Sequence, residues 1–92
     1  MAKSIMQIER ECYLTGRTDN LHKHHVFGGP NRKISEANGF WCYLTADKHN
    51  MAVDSVHHNR ALDLLVKTDC QQKFEEAHTR EEFMRLIGRN YL

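Results

Sequence analysis

At 92 residues, with 40% apolar and 27% charged residues and a formal net charge of +1, the chain has the make-up of one globular domain with a modest core. That balance excludes an intrinsically disordered chain and a protein held to nucleic acid by bulk charge alone, while leaving room for a local basic patch. No apolar run approaches the roughly 20 residues of a membrane span, and "MAKSIMQIER" lacks the apolar centre of a secretory signal, so a cytoplasmic location is expected. Cys12, Cys42 and Cys70 are an odd number without paired spacing, which predicts reduced thiols rather than a disulfide framework.

Residues 4–14 mix apolar and charged side chains (Ile5, Ile8, Cys12, Leu14) and end in the turn signal Thr15-Gly16. Leu21 to Phe27 reads as a short strand, with Val26 and Phe27 supplying strand propensity. Gly28-Gly29-Pro30-Asn31 breaks it, and the polar residues that follow predict a loop as far as a turn at Asn38-Gly39. Phe40 to Thr45 is the most strand-like segment. A short helical turn around Ala46–Met51 follows, with Thr45 as its N-cap and Asp47 near its positive end. The spacing of Leu62, Leu65, Val66, Cys70, Phe74 and Ala77 predicts a helix from about His58 to Ala77 with one apolar face. Thr79-Arg80-Glu81-Glu82 is a capping-box sequence that opens a last helix, which buries Phe83, Leu86 and Ile87 and stops at Gly88. A hairpin first and helices after make the fold class α+β.

Seven histidines in so short a chain call for a chemical reason. On a strand, His22 and His24 point to one face and His25 to the other, so an adjacent pair can divide metal binding from contact with a substrate. "KHN" at 48–50 falls at a strand-to-helix junction and "HHN" at 57–59 at a helix start. One strand histidine and two helix-end histidines can converge on a divalent ion with coordination positions left open. His22 stands either beside that site or in solvent, and His78 reads as a surface residue near a helix end. Lys23, Arg32, Lys33 and Lys48 supply local positive charge. No glycine-rich phosphate loop, Gly-x-Ser-x-Gly elbow or His-Glu-x-x-His motif occurs, and Cys70 reads as core.

The ordered series "HHVFGG", "NRKIS", "YLTADKHN", "VHHN" and "FMRLIGRNYL" resembles the small HNH endonucleases of phages and prophages, over nearly the whole chain from Cys12 to Leu92. The resemblance implies one HNH-like domain over 1–92: a degenerate knuckle region (1–20), a ββα-metal (His-Me finger) motif (21–60) and C-terminal helices (58–92). It implies a metal-dependent hydrolysis of DNA phosphodiesters with low intrinsic sequence specificity, in which His24, His49 and His57 hold one divalent ion and His25 is the general base. Asn38 is the nearest candidate for the asparagine that orients the base, with Asn50 and Asn59 competing. Lys23, Arg32, Lys33 and Lys48 would hold the DNA backbone, and a protein partner can supply specificity. Mg²⁺ or Mn²⁺ is the expected ion, and an imidazole site also accepts Zn²⁺ or Ni²⁺. Many relatives carry a structural zinc knuckle, but the corresponding positions here are Cys12, Thr15, Thr45 and Lys48. Threonine and lysine cannot close a tetrahedral site, so no structural zinc is expected, and the threonines are expected to hold the region by packing and hydrogen bonds. The alternatives are a non-catalytic module on the same scaffold, which binds nucleic acid or inhibits a host enzyme, and a purely metal-binding protein.

Overall fold

Two strands, β1 (Leu21–His25) and β2 (Trp41–Thr45), pair antiparallel with Leu21 opposite Thr45 and His25 opposite Trp41. In the computed structural model, which describes residues 2–51 and 59–92, this sheet joins three helices in a small α+β fold. These are α1 (Arg32–Asn38), α2 (Arg60–Glu75) and α3 (Arg80–Ile87). Among the described residues no helix is long and apolar enough to cross a membrane.

The predicted loop between the strands is a correction. Gly29–Asn31 form a 3₁₀ turn and Arg32–Asn38 a helix. Sequence periodicity is silent there because Ser35, not an apolar side chain, anchors the helix. Its buried hydroxyl donates to Phe27 O (2.8 Å) and accepts from Phe27 N (3.2 Å). At the predicted turn, Gly39 is the C-cap of α1, its N–H donating to Ser35 O. Its φ of +75° and the carbonyl of Lys3, which a Cβ here would strike, both require glycine.

Strand β1 ends two residues earlier than expected. Val26 N still donates to Phe40 O (2.9 Å), but the Val26 and Phe27 side chains enter the core, at 1% and 2% exposure. Phe27 and Phe40 meet Phe74 of α2 and Phe83 of α3 in a cluster of edge-on and tilted rings 5.4–5.9 Å apart. Each fully buried aromatic contributes about 2–3 kcal/mol relative to exposure, so this cluster is the main tie between sheet and helices. Helix α2 starts at Arg60 behind the N-cap Asn59. Its buried stripe is Val66, Cys70 and Phe74, whereas Leu65 is exposed and Ala77 lies beyond the helix end. Buried Gln71 completes that face. Its amide donates to Asn90 and Glu75 and accepts from Tyr91 N, which pins the chain's last residues without an unsatisfied polar atom. Helix α3 has the predicted capping box and ends at Gly88 in the left-handed conformation.

The two faces of the sheet differ in kind. His24, Cys42 and Leu44 face the core, and Lys23, His25, Trp41 and Tyr43 share the other face, half-buried. An irregular N-terminal strap runs along β2. Ile5 N donates to Gly39 O, Tyr43 N to the Gln7 side chain, Tyr13 N to Tyr43 O, and Trp41 Nε1 to Ala2 O.

Candidate functional site

Alternation along β1 puts His22 and His24 on the same side, His22 exposed and His24 at 4% exposure. The chain leaving β2 forms a π-helical turn, Asp47–Met51, a wound backbone often found at functional positions. The predicted helical turn at 46–51 is therefore present, with more residues to the turn than in an α-helix. It delivers His49 to the two strand histidines: its ring centroid lies 5.3 Å from that of His22 and 5.3 Å from that of His24. The Nδ1 atoms of His22 and His49 are 3.2 Å apart. At that separation two imidazoles share one proton or act as neighbouring ligands of one ion, since nitrogens at ~2.1 Å from a metal stand roughly 3.0–3.4 Å from each other. Among the described residues no group of three His, Cys, Asp or Glu side chains is arranged to hold an ion. His57 and His58 lie outside the described residues, as does the side chain of Asn50.

On the opposite face His25 is oriented by a carboxylate. Its Nε2 lies 3.2 Å from Glu36 Oε1, with only 13% of the side chain exposed. Glu36 comes from α1 and also receives Lys23 Nζ, at 2.7 and 2.9 Å. Lys23 first, and then His25, hold the Glu36 carboxyl below its usual range against a smaller opposing effect of burial. Lys23 in turn lies 4.2 Å over the Trp41 ring. With Glu36 ionised, the His25 nitrogen facing it is the donor, which turns Nδ1 away from the carboxylate.

Glu36 is the residue that sequence reasoning missed. The candidates for its orienting role are engaged elsewhere: the Asn38 amide donates to Ile34 O and lines a cleft beside α2 and α3, and Asn59 accepts from Leu62 N as the cap of α2. The available signal was a single acidic residue in a polar run, which becomes informative only once that run is known to be a helix passing β1. Among the basic residues, Arg32 and Lys33 are exposed on α1, Lys48 is half-buried, and Lys23 is tied to Glu36. His78 is exposed but not bare. It stacks on Phe74 at 4.4 Å and reaches Glu82.

Three of the four knuckle positions converge. Cys12 is 1% exposed, Thr45 Oγ donates to its sulfur at 3.6 Å, and the Thr15 side chain also bonds to it. The loop is closed by Gly16 N to Cys12 O (2.8 Å) and Cys12 N to Arg17 O (2.7 Å). Burial pushes the Cys12 thiol up, but hydrogen bonds from the Thr15 side chain, from Thr45 and from the Leu14 backbone outweigh it and bring it to about 7. Cys42 is pushed up to about 12 by burial and by Cys12, and Cys70 upward by burial, so both are inert core thiols.

Comparison with known families, with curated proteins and with solved structures found no match to this chain.

Proposed function

We propose that the chain is an HNH-type, metal-dependent endonuclease with a ββα-metal site, hydrolysing DNA phosphodiesters with little sequence specificity of its own. The observation that carries this reading is the division of labour within the His24-His25 pair. His24 is buried beside His49, a second imidazole brought from 25 residues on, while His25 is turned to the other face and held by Glu36. A merely structural histidine pair has no need of a carboxylate on one ring and an imidazole cluster on the other. The donors suit a divalent ion: His24 and His49, with His57 as the third ligand of the reading, are neutral nitrogen donors that leave positions open.

When bound, the ion supplies charge neutralisation at the scissile phosphate and the leaving oxygen. His25 takes a proton from water on Nδ1 as the water oxygen attacks phosphorus in line; the opposite P–O bond breaks, the leaving oxygen takes a proton from solvent, and Glu36 stabilises the imidazolium that results. Exposed Arg32 and Lys33 hold the flanking backbone without reading bases. Specificity then comes from a partner or from DNA shape. The test is plasmid cleavage with Mg²⁺, Mn²⁺, Ni²⁺ or EDTA, run beside His25→Ala. Metal-dependent nicking or linearisation that disappears in the variant is expected. Folded protein that cuts with none of these ions would overturn the nuclease reading and leave a non-catalytic scaffold.

A further inference from the structure

The face of the sheet that carries His25 also carries a cleft of about 700 Å³ between β2 and the N-terminal strap. Its floor is aromatic. Trp41 and Tyr43 lie edge to face at 5.4 Å, both only partly buried. Its rim is basic, with Lys3, Arg10 and Lys23 against one carboxylate, Glu9. Two of the cations already lie against the rings, Lys23 4.2 Å over Trp41 and Arg10 5.0 Å over Tyr43. Rings with long-chain cations over them suit a nucleotide, whose base takes a π-face as its phosphate draws the cation aside. A base paired inside a duplex offers no face to such a floor, whereas an unpaired base does. The cleft also adjoins the proposed base. Trp41 is the direct cross-strand partner of His25, and neighbouring side chains in that relation stand roughly 4.5–5.5 Å apart at Cβ.

We infer that this cleft is a stacking site for unpaired nucleotides of single-stranded DNA, and that the substrate enters with at least one base out of the duplex beside His25. The inference rests on the nuclease reading for the fate of the bound strand, and adds the form of DNA that the site admits. Lys23 takes part through a charge it shares with Glu36, so Arg10 and Lys3 carry most of the phosphate contact.

Trp41 is the chain's single tryptophan, so its fluorescence reports on the cleft directly. The experiment titrates the whole protein, in EDTA so that no cutting intervenes, with short oligothymidylate and with a blunt duplex of equal length. Quenching by the single strand is expected, weakening as salt rises, with the duplex binding on the order of tenfold more weakly or not quenching. Tyr43→Leu, which keeps the reporter, should lower single-strand affinity on the order of tenfold, and Arg10→Gln should lower it severalfold, with both variants shown to be folded by circular dichroism. Equal affinity for duplex, or folded variants that bind as the parent does, would overturn the inference. A protein that cuts plasmid yet shows no quenching by single strands refutes the stacking site alone. One that binds single strands and cuts with no ion keeps the site and loses the nuclease.

Discussion

Replacing Thr15, Thr45 and Lys48 by cysteine should create a zinc site where the chain now has a hydrogen-bonded thiol. Thr45 Oγ stands 3.6 Å from Cys12 Sγ, and two sulfurs at ~2.3 Å from a tetrahedral zinc are ~3.8 Å apart. The two side chains therefore already stand at about the separation that the edge of the site requires. The Thr15 side chain bonds to the same sulfur, and the loop that carries it is closed by the Gly16 hydrogen bond. Without metal the triple variant loses both hydroxyl contacts to sulfur, a cost of ~1 kcal/mol each. With free zinc at 100 times its dissociation constant it gains ~2.7 kcal/mol, worth roughly 10–20 °C in melting temperature for a domain of this size. The assay is a thermal melt with zinc and with EDTA, together with cobalt titration followed by the thiolate charge-transfer absorption. One equivalent of cobalt and a melt that rises with zinc and falls below the parent in EDTA are expected, whereas the parent chain gives no thiolate band. A folded triple variant that gives no thiolate band with cobalt would show that the convergence of these positions is not a metal geometry.

Further outcomes follow from the Glu36 contacts and from the Cys12 thiol. Glu36→Gln should lower cleavage by about 10- to 100-fold, the usual cost of losing a residue that orients a functional histidine, with DNA binding in EDTA kept, and comparison of cleavage rate with binding checks it. The folded-state pKa of Cys12, about 7, lies below the ordinary value of a thiol in the unfolded chain, so its contribution to stability is fully present above the unfolded value and is lost as pH falls through about 7. The unfolding free energy from urea melts should therefore rise between pH 6.5 and 9 by on the order of 1–2 kcal/mol, and Thr45→Val, which removes one of the hydrogen bonds to the thiolate, should flatten that slope.

The helices were legible in the sequence where local chemistry sufficed. The capping box at Thr79 and the glycine at 88 need only their own neighbours, and α3 begins and ends where they say. The stripe of α2 was readable in its buried middle, Val66, Cys70 and Phe74, and misread at Leu65 and Ala77. Periodicity marks positions that can face a core, whereas the aromatic cluster decides which do. Asn59 competes in the sequence for the place of the orienting asparagine, and its position as the cap of α2 follows from the same start signals that place Ser, Thr, Asp and Asn ahead of helices. The segment between the strands was not legible at all. Its helix is held by a serine hydroxyl, a glycine forced into the left-handed region and a carboxylate paired across to β1, and none of these leaves an apolar period.

That unreadable helix is also what gives the candidate site its chemistry. The sequence supplies adjacent histidines, and strand alternation alone sends them to opposite faces, but alternation cannot say which nitrogen of His25 is left for a proton. Helix α1 decides it by bringing Glu36 to Nε2. Because Lys23 shares the same carboxylate and lies over Trp41, one ion pair links the proposed base to the aromatic cleft. A basic residue next to a histidine pair in the sequence reads as a simple phosphate contact. In the fold, Lys23 is instead paired with Glu36 and lies over Trp41, between the contact to His25 and the floor of the cleft.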